Sequence, residues 1–469
     1  MPDEENLPCF YNNFPPPLFF FRNVYLRIER LIKWLVMKKL IYLHLFVCVL
    51  FSCGTSESEV SDKKELDDIL DMAPIEPDDI VLKPKDHFLN EYGIHEKAYS
   101  YVAGTEFFSD IREQSCWTET LSALKKEIIV PEEAKLISSV VDLMKLASGE
   151  IYYVKGDLIV PTLLVGNGEN KHSKGITIPN NVTIYIEGSI YKEGLFMGDQ
   201  DLDDGIEEEN KWDYIFNLEK TKNVNIYGIN HPKIYSKKRS VAFYMGGEAQ
   251  NIHIEGFYVT DVWEAFSCQW GAKDITLLRN YIQNTGKRAI WMLGTENTFF
   301  AYNFIYLPGW DGFDFDAYNK DGNGYGNIVI GAGRWAGFVE EAAQNNYTVN
   351  SLCVMEPTLS TEKNWQMGFA DNGTTQKIID NSGKVTENNY FIKNVTVQPI
   401  SYTQTTKRGG GNFFSKKNAE KGLTFFWGNI EKGCTHSTSG DSWYKAEWLD
   451  EIPEEGINKI KELKKRLDI

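Results

Sequence analysis

Four carboxylates lie close together in the middle of this 469-residue chain. Asp311, Asp314 and Asp316 fall in the stretch Trp310-Asp311-Gly312-Phe313-Asp314-Phe315-Asp316, and Glu341 follows about 25 residues on, next to Glu340. Phe313 and Phe315 alternate with Asp314 and Asp316, the pattern of a strand with one apolar and one polar face. If the two stretches are neighbouring strands, about 4.8 Å apart, Asp316 and Glu341 sit side by side. Two carboxylates that close do not both ionise cheaply, so one pKa rises and the pair supplies an acid and a base. Glycoside hydrolysis needs such a pair, and a separation near 5 Å favours retention. Asp311 and Asp314, farther off, offer an inverting route through an activated water. Glu340 falls on the inward face in this register, and a local bulge would exchange its role with that of Glu341. Lys287 and Arg288 stand about 24 residues upstream. Desolvation of Lys287 would lower its pKa.

These residues belong to a stretch that repeats. From Val241 to Met355 the chain aligns with itself five times, each row holding two short alternating strands separated by a polar turn. Gly256, Asn280, Asn303, Asn327 and Ser351 form one column with a period of about 24 residues. A fixed period with no room for a helix predicts a β-solenoid. The column predicts a sharp bend, where asparagine tolerates the left-handed conformation and stacked amides bond from coil to coil. Phe243, Phe266, Ile290, Phe313 and Phe338 are then expected to point inward. Tyr244, Ser267, Trp291, Asp314 and Val339 point outward, as do Gly246, Gln269, Leu293, Asp316 and Glu341.

On this column and its rows the chain resembles the pectin-lyase-like superfamily over residues 151–399. The resemblance implies an all-β fold, a right-handed parallel β-helix with three-strand coils of about 24 residues. It places a substrate cleft on residues 242–246, 265–269, 289–293, 312–316 and 337–341. The turns feeding these strands add a rim: Trp263, Lys287, Trp310 and Trp335 at one position, then Glu264, Arg288, Asp311 and Ala336. Tryptophans beside carboxylates suit a sugar chain, whose ring faces are flat and apolar and whose hydroxyls seek charge. Trp263, Glu264, Gln269, Trp291, Trp310, Arg334 and Trp335 are the expected substrate contacts. Trp310 to Asp314 looks like the Asn-Thr-Asp-Gly-x-Asp stretch of polygalacturonase-type hydrolases, which would make Asp311 a catalytic carboxylate. The next coil departs from that pattern, with Arg334 and Trp335 where an Asp-Asp pair belongs, and the later Gly-His-Gly and Arg-x-Lys motifs have no counterpart. Hydrolysis of a plant or algal polysaccharide is the first expectation and needs no metal or cofactor. The resemblance also admits a pectate-lyase-type reaction on a uronate-containing glycan. Asp314, Asp316 and Glu341 would then bind calcium, and Lys287 or Arg288 would be the base. A third reading is a non-catalytic glycan-binding lipoprotein.

The net charge of −17 argues against a nucleic-acid partner. Residues 1–53 carry six basic and four acidic side chains, a net +2, so the rest carries −19. Met37-Lys38-Lys39, an apolar run and Leu50-Phe51-Ser52-Cys53 resemble a bacterial lipoprotein signal peptide over residues 37–53, with Cys53 as the lipidated residue. Residues 1–36 read as an upstream extension ahead of a true start at Met37, and 54–79 as an acidic tether. Attachment by the lipid alone, at an outer membrane facing the periplasm or the cell surface, follows from that resemblance. Residues 80–150 form an N-terminal region whose helical pattern over 131–147 predicts a cap on the open end of the β-helix. The β-helix is expected over 151–400, with an acidic insertion at 199–209 that reads as a solvated loop. A loop-rich region with a terminal helix over 454–467 completes the chain.

Overall fold

The computed structural model describes residues 96–163, 173, 175–194, 213–238, 240–355, 367–398, 413–416, 424–433, 443–445 and 449–468. All fall within the unit that spans residues 86–469. The signal peptide with Cys53, the stretches before and after it, and the 199–209 loop lie outside the described residues.

Alternating sequence becomes three parallel sheets, of eleven, ten and ten strands among the described residues. Each coil gives one strand to each sheet, and each strand pairs with its equivalent one coil on. The fold is a right-handed parallel β-helix. Only the edge strand Trp443–Lys445 runs antiparallel to its neighbour. The inner faces form one continuous core in which like side chains stack: Phe243 lies between Phe216 and Phe266, with ring centroids 4.9 and 5.3 Å away.

The asparagine column bonds as expected, both to the turn backbone and from coil to coil, but its asparagines are not the left-handed residues. Asn280 Nδ2 donates to Asn303 Oδ1 at 3.1 Å, and Asn303 Nδ2 donates to Asn327 Oδ1 at 2.9 Å. The same oxygens accept backbone N–H groups: Asn280 N reaches Asn303 and Asn303 N reaches Asn327, both at 3.1 Å. The column continues through Ser351 and Asn394 to Asn429. The left-handed residue is the one before it: Arg279, Tyr302, Gly326, Asn350 and Lys393 have φ between 50° and 62°. Gly256, with φ 84°, belongs to that neighbouring column, and Phe257 stands where the asparagines stand. The asparagines are there to satisfy turn backbone that no strand partner reaches.

The register departs from expectation at one coil. Phe313 pairs with Gly337, and Asp314 with Phe338. A Cβ on Gly337 would lie 2.5 Å from the Phe313 ring and 2.8 Å from Phe369. The bare glycine thus makes room inside the coil for two rings whose centroids are 6.3 Å apart. Val339 consequently joins the inner core. Phe338 turns outward and stacks on Trp335, reversing the orientation the repeat predicts.

Residues 131–147 do not form one helix. Lys135–Ile137 is a strand that pairs with Ile151–Val154, and Val140–Leu143 is a single turn capped by the Ser139 hydroxyl. Leu143, Val140, Met144 and Leu146 still pack on the core's open end, so the apolar positions cover it without helical continuity. The ladder also runs beyond residue 400, through Phe413–Lys416, Thr424–Trp427 and Ile430–Lys432.

Two of the three outer faces are covered. Helices Glu96–Ala103, Phe108–Glu113 and Ser115–Leu124 pack on the sheet that contains Tyr258, Tyr281 and Phe304. The terminal helix Glu454–Arg466 sets Leu463 and Ile460 against the sheet that contains Phe299, Tyr325 and Tyr347. No described helix covers the third face, whose central strands are Val241–Met245, Phe266–Gln269, Ile290–Leu293, Phe313–Asp316, Trp335–Glu340 and Met367–Gly373.

Candidate functional site

The outward positions of this third sheet, and the turns that feed it, gather the charged groups. Arg288 is at the centre. It is buried on the turn before Ile290–Leu293, and its Nε donates to Asp314 Oδ2 at 2.7 Å. Its guanidinium also lies 3.6 Å from Asp311 and Asp316, and 4.0 Å from Glu264. Burial works against its charge, but Asp314, Asp316, Asp311 and Glu264 outweigh that and raise its pKa further. Asp311 is committed elsewhere: Arg334 Nε donates to Asp311 Oδ1 at 2.9 Å, Nη2 donates to Oδ2, and Trp335 N donates to Oδ1 at 3.2 Å. Such a bidentate, buried pair fixes geometry. Asp311 is therefore an anchor for Arg334 and does not face the cleft.

Asp314, Asp316 and Glu340 form a tighter carboxylate group, in which Asp314 is fully buried beneath Asp316 and Glu340. One oxygen from each lies within 4.8 Å of the other two. Trp291 Nε1 donates to Asp316 Oδ2 at 2.8 Å, and Ala317 N donates to Oδ1 at 2.6 Å. Asn372 Nδ2 donates to Glu340 Oε2 at 2.8 Å. Burial first, then Asp316, pushes the Glu340 carboxyl up to about 7 against the pull of Arg334 and Arg288. Burial and Asp316 likewise hold the Asp314 proton well above the ordinary carboxylate range. Glu264, buried on the turn before Phe266–Gln269, is pushed to about 7 by burial.

Glu341 is not part of this group. The one-residue shift at Gly337 brings Glu340 to the place expected for Glu341, and the pairing with Met367–Gly373 shifts between Val339 and Glu340, where Asn372 is the extra residue. Glu341 has φ 53° and accepts from Thr375 N at 2.9 Å and from Thr375 Oγ1 at 3.0 Å, on the turn beyond the strand. The repeat mis-set the coil because Gly312-Phe313 and Gly337-Phe338 match as dipeptides while their structural partners differ by one. Asn372, which holds Glu340, comes from a coil whose period the sequence does not display, and no signal in the repeat finds it.

The other expected residues divide. Trp263, Trp291 and Trp310 are half-buried along the face, whereas Trp335 is 1% exposed and stacked on Phe338, so it offers no surface to a ligand. Arg334 joins Lys287 and Trp310 in the rim column and lies over the Trp310 ring at 4.8 Å. Gln269 is buried and donates to Ser267 Oγ at 2.9 Å. Lys287 Nζ sits 4.6 Å from the Trp310 ring centroid and 5.6 Å from that of Trp291. Burial, then Arg288 and Arg334, brings its ammonium down to about 6, despite Asp316 and Asp311.

Calcium fits this donor set poorly. Arg288 already donates to Asp314 and stands 3.6 Å from Asp316, so a guanidinium fills the charge-compensating role an ion would take.

No protein-family model matches the chain, and no curated protein matches it. Among solved structures, the chain is similar to the catalytic domain of a GH87 α-1,3-glucanase in complex with nigerose, at 12% identity and TM-score 0.40, covering 69% of this chain and 65% of that one. It is also similar to the tailspike protein of E. coli bacteriophage HK620 in complex with a hexasaccharide, at 13% identity and TM-score 0.39, covering 64% and 55%. A third is the A-module of the Azotobacter vinelandii mannuronan C-5 epimerase AlgE6, at 12% identity and TM-score 0.35, covering 66% and 91%. The chain thus spans less than two thirds of the first two proteins.

Proposed function

We propose that this chain is a carbohydrate-active enzyme that hydrolyses glycosidic bonds in a plant or algal polysaccharide. The observation that carries the reading is the Asp314, Asp316 and Glu340 group, with oxygens within 4.8 Å of one another on the one sheet face without a described helix. Glu340, raised to about 7, retains a proton near neutrality and is the general acid. Asp316 is the nucleophile, aimed by Trp291 and the Ala317 amide. Asp316 attacks the anomeric carbon while Glu340 protonates the departing glycosidic oxygen. Water then cleaves the ester, returning its proton to Glu340. This short spacing is that of retention. Arg288 orients Asp314 and offsets the gathered negative charge.

The charge arrangement favours an uncharged glycan. Arg288 and Arg334 are committed to Asp314 and Asp311, while Asp316 and Glu340 face the substrate side. A uronate carboxylate would meet the Asp316 carboxylate there, and Glu340 too once it loses its proton.

A lyase is the second reading, favoured by one observation: Lys287 lowered to about 6 is a competent base for abstracting the proton α to a uronate. The reactions separate in one assay. The full-length protein is incubated with neutral and uronate-containing plant and algal polysaccharides, reading new reducing ends and ultraviolet absorbance together. New reducing ends with saturated products are expected. Absorbing products that require Lys287 would overturn hydrolysis in favour of elimination. Binding without cleavage of any polysaccharide would reduce the protein to a glycan-binding module.

A further inference from the structure

Trp270 follows the Phe266–Gln269 strand at the edge of the candidate cleft opposite the Trp263 and Trp310 rim. Its side chain is 54% exposed, and it is the one tryptophan among the exposed large hydrophobic residues described. It is not a loose side chain. Gly294, one coil on, has φ 62°, and a Cβ there would lie 2.5 Å from Trp270 Cε3 and 2.9 Å from Cζ3. The indole lies against a backbone position that carries no side chain, and over half of its surface stays exposed. Tyr318, one coil further, has its ring centroid 6.3 Å away, and Lys384 Nζ stands 5.7 Å from the Tyr318 ring. Tyr318 follows the strand that ends at Asp316 by two residues, so the two aromatics lie at the end of the sheet where Asp316 stands.

We propose that Trp270 and Tyr318 form a sugar-binding subsite that stacks a pyranose ring of the substrate chain beside the Asp316 and Glu340 pair. A largely exposed indole held against a glycine presents apolar ring surface at little entropic cost. The axially polarised C–H face of a pyranose matches it, and Lys384 and the cleft carboxylates offer partners for the ring's hydroxyls. An apolar protein partner would need a wider apolar area than one indole and one phenol. The subsite deepens the glycan-cleaving reading and rests on it.

The test is affinity electrophoresis of the full-length protein through gels containing β-glucan, xylan, galactan, polygalacturonate or alginate, with melting temperature measured in parallel. The native protein is retarded by at least one polysaccharide. Trp270→Ala raises the apparent Kd on that same gel about three- to tenfold, Trp270→Phe restores most of it, and neither alters the melting temperature. Retardation of Trp270→Ala equal to that of the native protein, with Glu340→Gln inactive on that polysaccharide, overturns the subsite and leaves the catalytic reading standing. Retardation of the native protein by none of the five overturns both.

Discussion

At Glu340 and Glu341, two adjacent glutamates point to different partners. Glu340 is drawn up to about 7 by burial and Asp316, and Asn372 fixes its orientation. Glu341 bonds to a turn beyond the strand. Glu340→Gln is therefore expected to lower kcat by about 10²-fold or more, and Glu341→Gln to leave it within about twofold. The pH profile carries a sign as well. A general acid must be protonated, so hydrolysis falls as pH rises through about 7, where Glu340 loses its proton. A Lys287 base gives the opposite limb, with activity rising through about 6 as the ammonium deprotonates. Steady-state kcat/KM between pH 4 and 9 distinguishes them, and an ascending limb alone would remove Glu340 as the acid.

The strands position these side chains, and the asparagine column fixes the turns between them. Asn303 shows how much one residue holds: its oxygen accepts the Asn280 N–H and amide, and its own amide reaches Leu277 O at 3.2 Å. All of this is buried, so Asn303→Ala leaves donors that neither protein nor water satisfies. Each unpaired group costs about 1–3 kcal/mol, and a loss of roughly 3 kcal/mol is expected. A thermal or urea midpoint indistinguishable from the native protein's would show that the column is ornamental to stability. The ladder was legible because each of its members recurs at the same place in the repeat. The bend's left-handed residue was not, because Arg279, Tyr302 and Lys393 carry no compositional mark of that conformation. Register was legible only until a dipeptide match competed with packing. Gly337 looks like Gly312 in sequence, yet it faces the Phe313 and Phe369 rings inside the coil. The capping segment failed differently: its apolar spacing suits a helix, but Lys135–Ile137 gains a strand partner on the sheet edge, and tertiary pairing overrides local pattern.

Within residues 86–469, helices pack on two faces of the β-helix, and no described helix covers the third, where the carboxylates gather. Its acidity and its face of aromatics and carboxylates suit an extended, hydroxyl-rich ligand better than a nucleic acid. The proposed enzyme would meet large polysaccharides outside the cell, and residues 37–53 resemble a signal that would take it there. The positive residues Lys38 and Lys39, the apolar run and Leu50-Phe51-Ser52-Cys53 resemble a lipoprotein signal, and the acidic stretch after Cys53 reads as a tether holding the β-helix off the bilayer. No described helix is long and apolar enough to cross a membrane; the expectation of a lipid anchor at Cys53 rests on the signal resemblance alone. We therefore expect the native protein in the membrane fraction, with a mass corresponding to a chain that begins at acylated Cys53. Cys53→Ala should release it to the soluble fraction or leave it unprocessed, with polysaccharide cleavage by the solubilised protein unaltered, because the anchor and the cleft do not share residues. Unchanged fractionation and mass in that variant would overturn the lipid anchor without touching the argument for the cleft.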